Sequence, residues 1–358
     1  MGAAGGLHHR GAPSQARWIL PGGSRSLPER RGVIFHQGAL GDFLLALPVI
    51  EGIVRASPTP KFDFWSRPSY LSLLHGRPYV GSTLDAGGRE WLPFFQGDHA
   101  EEAPLPQGLE GAQCVVIFGQ ASSARAAERL RGRIRAPTYW LKSFPDEIQD
   151  RHTTDFIADQ AKALGLPLIM EPLRLAPDPV QLMAVRKRLL NSDLSVLLQV
   201  VVHPGSGGLR KIWPLSRWRM LLHWLRERQE VRTLLVLGPA DERIRPFVRD
   251  VVASSGITMV EGLELPAFAA LLSQADAYIG NDSGATHLAA SMGTPSVAVF
   301  GPTDPAVWGP RGDHVTVFKD SWTLDEVMDP RISEAGSTSA STLVSIVAAK
   351  LKECRRSR

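Results

Sequence analysis

The sequence predicts an α/β protein of two similar halves, each with a parallel sheet covered by helices, the pair facing a central cleft. Three observations carry this. Short β-rich runs alternate with helical stretches, the pattern of parallel strands joined by crossover helices. The alternation stops at a proline-rich joint and then starts again. The chain of 358 residues, 44% hydrophobic and 21% charged, has the length of about two domains and the composition of an ordinary globular protein.

In chain order, residues 1–31, rich in Gly, Ser, Arg and Pro and without a hydrophobic period, read as a disordered leader. The N-terminal half, residues 32–170, opens with a buried strand at Val33–Gln37, a helix at Asp42–Ala56 and a strand at Lys61–Ser66. Gln113–Phe118 is a further strand and Ser122–Arg131 a helix. Pro48 removes a hydrogen bond inside the first helix and predicts a kink there. A helix from His152 to Leu164 stops at Gly165, with Pro167 beyond it. Residues 171–195 read as a linker, with Pro172, Pro177 and Pro179 ahead of a helix near Val180–Leu190. The C-terminal half, residues 196–335, resumes with strands at Val196–Val202, Thr233–Leu237, Ala277–Ile279 and Ser296–Phe300. Its helices fall near Ser216–Gln229, Asp241–Ala253, Pro266–Gln274 and Gly284–Ser291. Residues 336–358 read as a C-terminal helix and basic tail. A cleft between two such halves is a common place for a small ligand.

The formal net charge of +4 sits at the ends. Arg10, Arg17, Arg25, Arg30 and Arg31 against Glu29 give the leader +4. Lys350, Lys352, Arg355, Arg356 and Arg358 against Glu353 give the last residues another +4, so the body carries −4. A basic folded surface for nucleic acid is therefore not expected. Cys114 and Cys354 are far apart and form no Cys-x-x-Cys, which argues against a disulfide framework or a zinc site and fits a reducing cytoplasm. Arg30-Arg31 ahead of an apolar run resembles an export signal, but Asp42 interrupts the run. Nowhere does an uncharged apolar run reach the roughly 18 residues that span a bilayer.

Three strand-to-helix junctions carry the candidate chemistry. Gly38-Ala39-Leu40-Gly41-Asp42 places glycines at a tight turn and a carboxylate at the carboxyl end of a parallel strand, where open α/β sheets bind ligands. Asp42 reads either as a base or as a helix cap. His203-Pro204-Gly205-Ser206-Gly207-Gly208-Leu209-Arg210-Lys211 can fold its small residues into a nest of backbone N–H groups, with Lys211 adding positive charge. That combination suits a diphosphate, against the alternative of a solvated glycine turn; Arg210 breaks both the Walker and the dinucleotide fingerprints. Gly280-Asn281-Asp282-Ser283-Gly284-Ala285-Thr286-His287 opens a helix whose N-terminus favours an anion, with Asp282 or Ser283 able to bond a ribose or cap the helix. His287, one turn in, reads as a packed residue or a functional one. Gly301-Pro302-Thr303-Asp304-Pro305 adds a rigid loop on the same edge. The sequence holds no Asp-x-Asp, His-Glu-x-x-His or Gly-x-Ser-x-Gly, so neither a resident metal nor a serine hydrolase is expected.

Taken together, these segments resemble glycosyltransferase family 9, the ADP-heptose:lipopolysaccharide heptosyltransferases. The matching residues are Gly38 to Asp42 with Leu47-Pro48; His203 to Gly207 with Lys211, Trp213 and Pro214; and Gly280 to Gly284 with His287-Leu288-Ala289-Ala290 running to Gly301-Pro302-Thr303-Asp304-Pro305. The likeness covers about residues 32–330. It implies a GT-B fold, two Rossmann-like domains with the acceptor on the N-terminal one and the nucleotide sugar on the C-terminal one, and an inverting reaction that needs no metal or other cofactor. Carried over by motif, Asp42 is the base for the acceptor hydroxyl. Ser206, Gly207 and Lys211 hold the donor diphosphate; Asp282, Ser283, Gly284 and His287 lie at the donor site; Asp241 and Glu242 are ribose candidates. Gly38 and Gly41, with Arg125 and Arg129, are the acceptor-side candidates, the arginines being suited to carboxylates or phosphates of a Kdo-lipid A core or else forming a solvated face. The sequence departs from the family at Phe118-Gly119-Gln120, where an acidic residue followed by Gln-Gly is usual.

Chemically, an inverting displacement needs one base and a leaving diphosphate stabilised by positive potential, which these residues supply. A helix N-terminus is expected to lower the Asp42 pKa. The alternatives are a family member with another nucleotide sugar in O-antigen or capsule assembly, a UDP-N-acetylglucosamine 2-epimerase, in which Gly and paired glutamates would follow the Asp-Ser-Gly turn, and a non-catalytic binder resting on the tails. With a lipid acceptor, the basic ends suit peripheral contact with anionic inner-membrane lipids.

Overall fold

A computed structural model describes residues 31–97, 100–145, 150–189, 197–255 and 257–356. Apart from Arg31, the expected leader lies outside the described residues, as do residues 190–196 of the expected linker. The first half runs β1 (Arg31–His36), α1 (Leu40–Ala56), β2 (Lys61–Ser66), α2 (Pro68–Leu71), β3 (Val80–Asp85), α3 (Leu92–Gln96), β4 (Val115–Gly119), α4 (Ala121–Arg131), β5 (Thr138–Lys142) and α5 (Thr153–Ala163). After α6 (Pro179–Leu189) come β6 (Leu198–His203), α7 (Leu215–Arg226), β7 (Val231–Leu237), α8 (Arg245–Ser255), β8 (Thr258–Glu261), α9 (Leu265–Gln274), β9 (Ala277–Asn281) and α10 (Gly284–Ser291). The chain finishes with β10 (Ser296–Phe300), α11 (Pro305–Trp308), β11 (Val315–Lys319), α12 (Leu324–Met328) and α13 (Glu334–Arg356).

Two all-parallel sheets result, five strands in the order β3-β2-β1-β4-β5 and six in the order β11-β10-β9-β6-β7-β8. β1 and β6, central in their sheets, are apolar and buried because helices cover both faces. Four strands lie beyond those expected from the sequence, namely β3, β5, β8 and β11, and they are the four sheet edges. α1 runs unbroken through Pro48. α8 starts at Arg245, four residues later than the helix expected from Asp241, because a 3₁₀ turn at Glu242–Ile244 comes first.

The joint is strapped down. Ile169 donates its N–H to the Gly52 carbonyl of α1 at 3.1 Å, and Leu175 donates to Ser291 at the end of α10 at 2.8 Å. Beneath it, one apolar cluster is shared by the halves: Phe43, Leu47 and Ile50 of α1 join Phe268, Leu271 and Leu272 of α9 and Leu288 of α10. This packing brings the amino ends of α1 and α10 together. α13 returns to cover α7, its Leu343, Val347 and Leu351 entering the C-terminal core. Among the described residues no helix is long and apolar enough to cross a membrane.

Candidate active site

Asp42 is the third residue of α1, and its Oδ2 accepts the Ala39 N–H at 3.1 Å. The two readings of Asp42 are thus compatible. One oxygen closes the helix start, while Oδ1 accepts nothing among the described residues. Gly38 is needed for this turn: a Cβ there would lie 2.8 Å from His36 Cε1 and 3.1 Å from Asp42 Oδ2. His36, fully buried, steadies the loop by accepting the Gly38 N–H on Nδ1 at 3.3 Å. Burial pushes the Asp42 pKa above the ordinary carboxylate value, outweighing the Ala39 hydrogen bond and the Lys211 charge, while Asp282 pushes the same way. This corrects the expectation of a lowered pKa: desolvation of the half-buried carboxylate exceeds the pull of the helix end.

In the second half the loop after β6 is fixed by a buried amide. Asn281, at the end of β9, donates from Nδ2 to the Pro204 carbonyl at 2.7 Å and accepts the Trp213 N–H on Oδ1 at 3.1 Å. Both ends of the glycine turn are therefore pinned. Ser206 donates to the Asp282 carbonyl at 2.9 Å, and Lys211 Nζ stands 2.8 Å from Asp282 Oδ2, which also accepts from Thr303 Oγ1 at 2.6 Å. Gly207 faces open space, leaving the backbone accessible. Ser283 is the N-cap residue of α10, but its side chain makes no capping hydrogen bond; Ser283 Oγ lies instead 3.3 Å from Thr286 Oγ1.

The halves meet at Gly284, where a Cβ would come within 2.8 Å of Leu40 Cβ. Gly41 lies against Gly284 and His287. Asp42 is thereby close enough to Lys211 and Asp282 for their charges to act on it. His287 is buried, which drives its pKa to about 4, against the raising effect of Asp282, so its ring is neutral at pH 7.

Other candidates stand elsewhere. Asp241 points inward, its Oδ2 taking the Gly238 N–H at 2.6 Å and meeting His203 Nε2 at 3.0 Å. Burial opposes its ionisation, but the His203 and Gly238 hydrogen bonds win and its pKa lies below the usual value. A Cβ on Gly205 would strike Asp241 Oδ1 at 1.7 Å. Asp241 therefore braces the glycine turn from below rather than presenting itself to a ribose. Glu242, on the surface, is paired through both oxygens with Arg245 at 3.0 and 2.8 Å. Arg129 is committed to the Phe94 and Phe95 carbonyls of α3, the latter at 3.2 Å, which corrects its expected acceptor role. Arg125 is exposed on α4. Asn281 and Thr303 stood inside recognised motifs but were given no role, because a bond to a partner distant in sequence, the Pro204 and Trp213 backbone for Asn281 and the Asp282 carboxylate for Thr303, leaves no trace in spacing.

The profile of Glycosyltransferase family 9 (heptosyltransferase) matches residues 184–331. Lipopolysaccharide heptosyltransferase 1 of Escherichia coli K12 is 30% identical over 304 residues, covering 81% of this chain and 93% of that protein. Two solved structures share the fold: the glycosyl transferase family 9 protein from Veillonella parvula, TM-score 0.68 at 20% identity over 92% of this chain and 99% of its own, and the E. coli ADP-heptose lps heptosyltransferase II, TM-score 0.66 at 16% identity over 90% and 99%. The paired parallel sheets are the expected GT-B architecture, and, matched over 81% of its length by a 30% identical relative, the chain belongs to glycosyltransferase family 9, the heptosyltransferase family.

Proposed function

We propose that this glycosyltransferase moves heptose from ADP-heptose to a lipopolysaccharide inner-core acceptor, Kdo-lipid A or a heptosylated core, with inversion and without a metal. The observation that carries the reading is the close approach of the amino ends of α1 and α10 at Gly41 and Gly284, which puts Asp42 of one half within range of the charges of the Lys211–Asp282 pair of the other. In this reading residues 32–170 take the acceptor and residues 196–335 the donor, with residues 171–195 linking them and 336–358 closing the fold. The name of the E. coli structural relative supplies the donor class.

Bond cleavage leaves a diphosphate whose growing negative charge is met by Lys211, by the N–H groups of residues 206–208 and by the start of α10. Asp42 Oδ1 takes the proton of the acceptor hydroxyl as that oxygen attacks the anomeric carbon from the opposite face. The raised pKa makes Asp42 a better base than an ordinary carboxylate. Ser283, Gly284 and neutral His287 line the donor side; Gly38 and Gly41 open the acceptor side. The basic chain ends hold the enzyme near anionic lipid, and a chain lacking residues 1–30 and 350–358 is expected to bind anionic vesicles more weakly.

The test is to supply ADP-heptose, UDP-sugars and a truncated Kdo-lipid A acceptor, with and without chelator, and to identify the nucleotide released. ADP release that survives chelation supports the reading. Release of UDP alone overturns the donor, and loss on chelation overturns metal independence. Lys211→Ala is expected to weaken donor binding and slow turnover.

A further inference from the structure

Three consecutive residues at the start of α5 touch both halves of the site. Thr154 Oγ1 donates to the Leu45 carbonyl of α1 at 2.8 Å, one turn beyond Asp42. Thr153 Oγ1 donates to the Val307 carbonyl at 3.1 Å, and His152 Nε2 meets the Gly309 carbonyl at 2.9 Å. Both of the latter lie on the segment after β10, and that segment also carries Thr303, the donor to Asp282. His152 Nδ1 accepts the Thr154 N–H at 3.2 Å, so the ring proton belongs on Nε2 and is donated to Gly309. All three side chains are buried. Beside them Arg311 meets both oxygens of Asp155, at 2.9 and 2.6 Å, a half-exposed pair that adds direction more than energy.

The surroundings make these bonds matter. His152 and Thr154 stand on the wall of a cavity of about 580 Å³ that also touches Leu45, His287, Gly309 and Arg311. Side-chain packing does not fill the space between the halves on this flank, so the hydrogen bonds across it hold the spacing. From the structure we infer that His152, Thr153 and Thr154 are positioning residues that set the separation between Asp42 and the Lys211–Asp282 pair. The inference rests on the reading of the site proposed above. Turnover is sensitive to such spacing because reacting atoms must lie within a few tenths of an ångström of their productive distance.

Thr153→Val removes the hydroxyl and keeps the shape; Thr153→Ser keeps the hydroxyl. With ADP-heptose, the valine variant is expected to lose about tenfold in kcat while the donor KM moves by less than about twofold, and the serine variant to stay within about twofold of the parent. Unchanged kcat in the valine variant, equal losses in both variants, or a parallel loss of nucleotide affinity overturns the inference. A second arm needs no turnover. In a Cys354→Ser background, spin labels at Ser122→Cys on α4 and Glu227→Cys after α7 report the distance between the halves. Thr153→Val combined with Arg311→Ala should broaden that distance distribution, and an unchanged distribution overturns the inference. Should the parent release no ADP from ADP-heptose, the proposed function fails while the distance measurement still decides the positioning role.

Discussion

The close approach of α1 to α10 makes Gly284 a sharp test of how the site is assembled. Replacing it with alanine puts a methyl carbon 2.8 Å from Leu40 Cβ, 2.9 Å from Cγ and 3.0 Å from Cδ2, where ordinary contact begins at 3.4 Å. The helices must part by about 0.6 Å or Leu40 must leave its rotamer, and overpacking of this size costs about 1–3 kcal/mol. The parting falls two residues from Asp42 and two from Asp282. With about 1 Å of misplacement costing on the order of a hundredfold in rate, a tenfold fall in kcat is expected. Leu40→Ala removes the obstructing carbons, so the double variant should recover activity that Gly284→Ala loses, giving a non-additive cycle in kcat and in chemical denaturation. Additive losses, or a fully active Gly284→Ala enzyme, would refute the argument that the absence of a side chain here permits the close approach of α1 and α10.

Four further outcomes are expected from the structure. Because burial raises the Asp42 pKa, ionising it costs stability above the folded pKa and nothing below the unfolded one; Asp42→Asn should abolish transfer yet melt no lower than the parent at pH 7, with any advantage vanishing as pH falls into the ordinary carboxylate range. The rate itself should fall on the acid side with an apparent pKa above that of a free aspartate; a flat acid limb would show that Asp42 is not the titrating base. Asn281→Ala strands the buried Trp213 N–H and Pro204 carbonyl at about 1–3 kcal/mol each, and calorimetry should find ADP binding weakened well beyond any change in acceptor KM. Arg129→Ala should lower stability by about 1–3 kcal/mol with acceptor KM unchanged, since the Phe94 and Phe95 carbonyls lose their donor; a raised acceptor KM at unchanged stability would restore a binding role.

The pattern of what the sequence revealed has a physical origin. β1, β4, β6, β9 and β10 are short apolar runs buried on both faces, and each was legible as a strand. The four missed strands sit at sheet edges, where only some residues are covered: Thr138 and Leu141 alone in β5, Val260 alone in β8, Phe318 alone in β11, and none fully in β3. Such strands owe their conformation to a neighbour's backbone more than to their own side chains. At the site, motif recognition located Asp42, Lys211, Asp282 and His287 at three separate junctions, and the structure brings them together. It could not tell a carboxylate facing a ligand from one bracing a loop, so Asp241, three residues past Gly238, was read as a ribose contact. Arg129 of α4 misled for a related reason: it points at the backbone carbonyls of Phe94 and Phe95, acceptors that side-chain patterns do not record.

The apolar cluster running from α1 through α9 and α10 bears on how this protein arose and how it can be re-engineered. Two sheets with separate strand orders look like interchangeable modules, and donor and acceptor specificity would then be traded by recombining halves from different relatives. Here each half buries part of the other's core, so a chimera inherits two surfaces that have never been fitted to one another. Exchange would have to carry the facing sides of α1, α9 and α10 as a set, or be made by grafting loops onto an intact pair. Changes of sugar or acceptor are therefore expected to be written in the loops at the strand ends, with the seam between the halves left as it is.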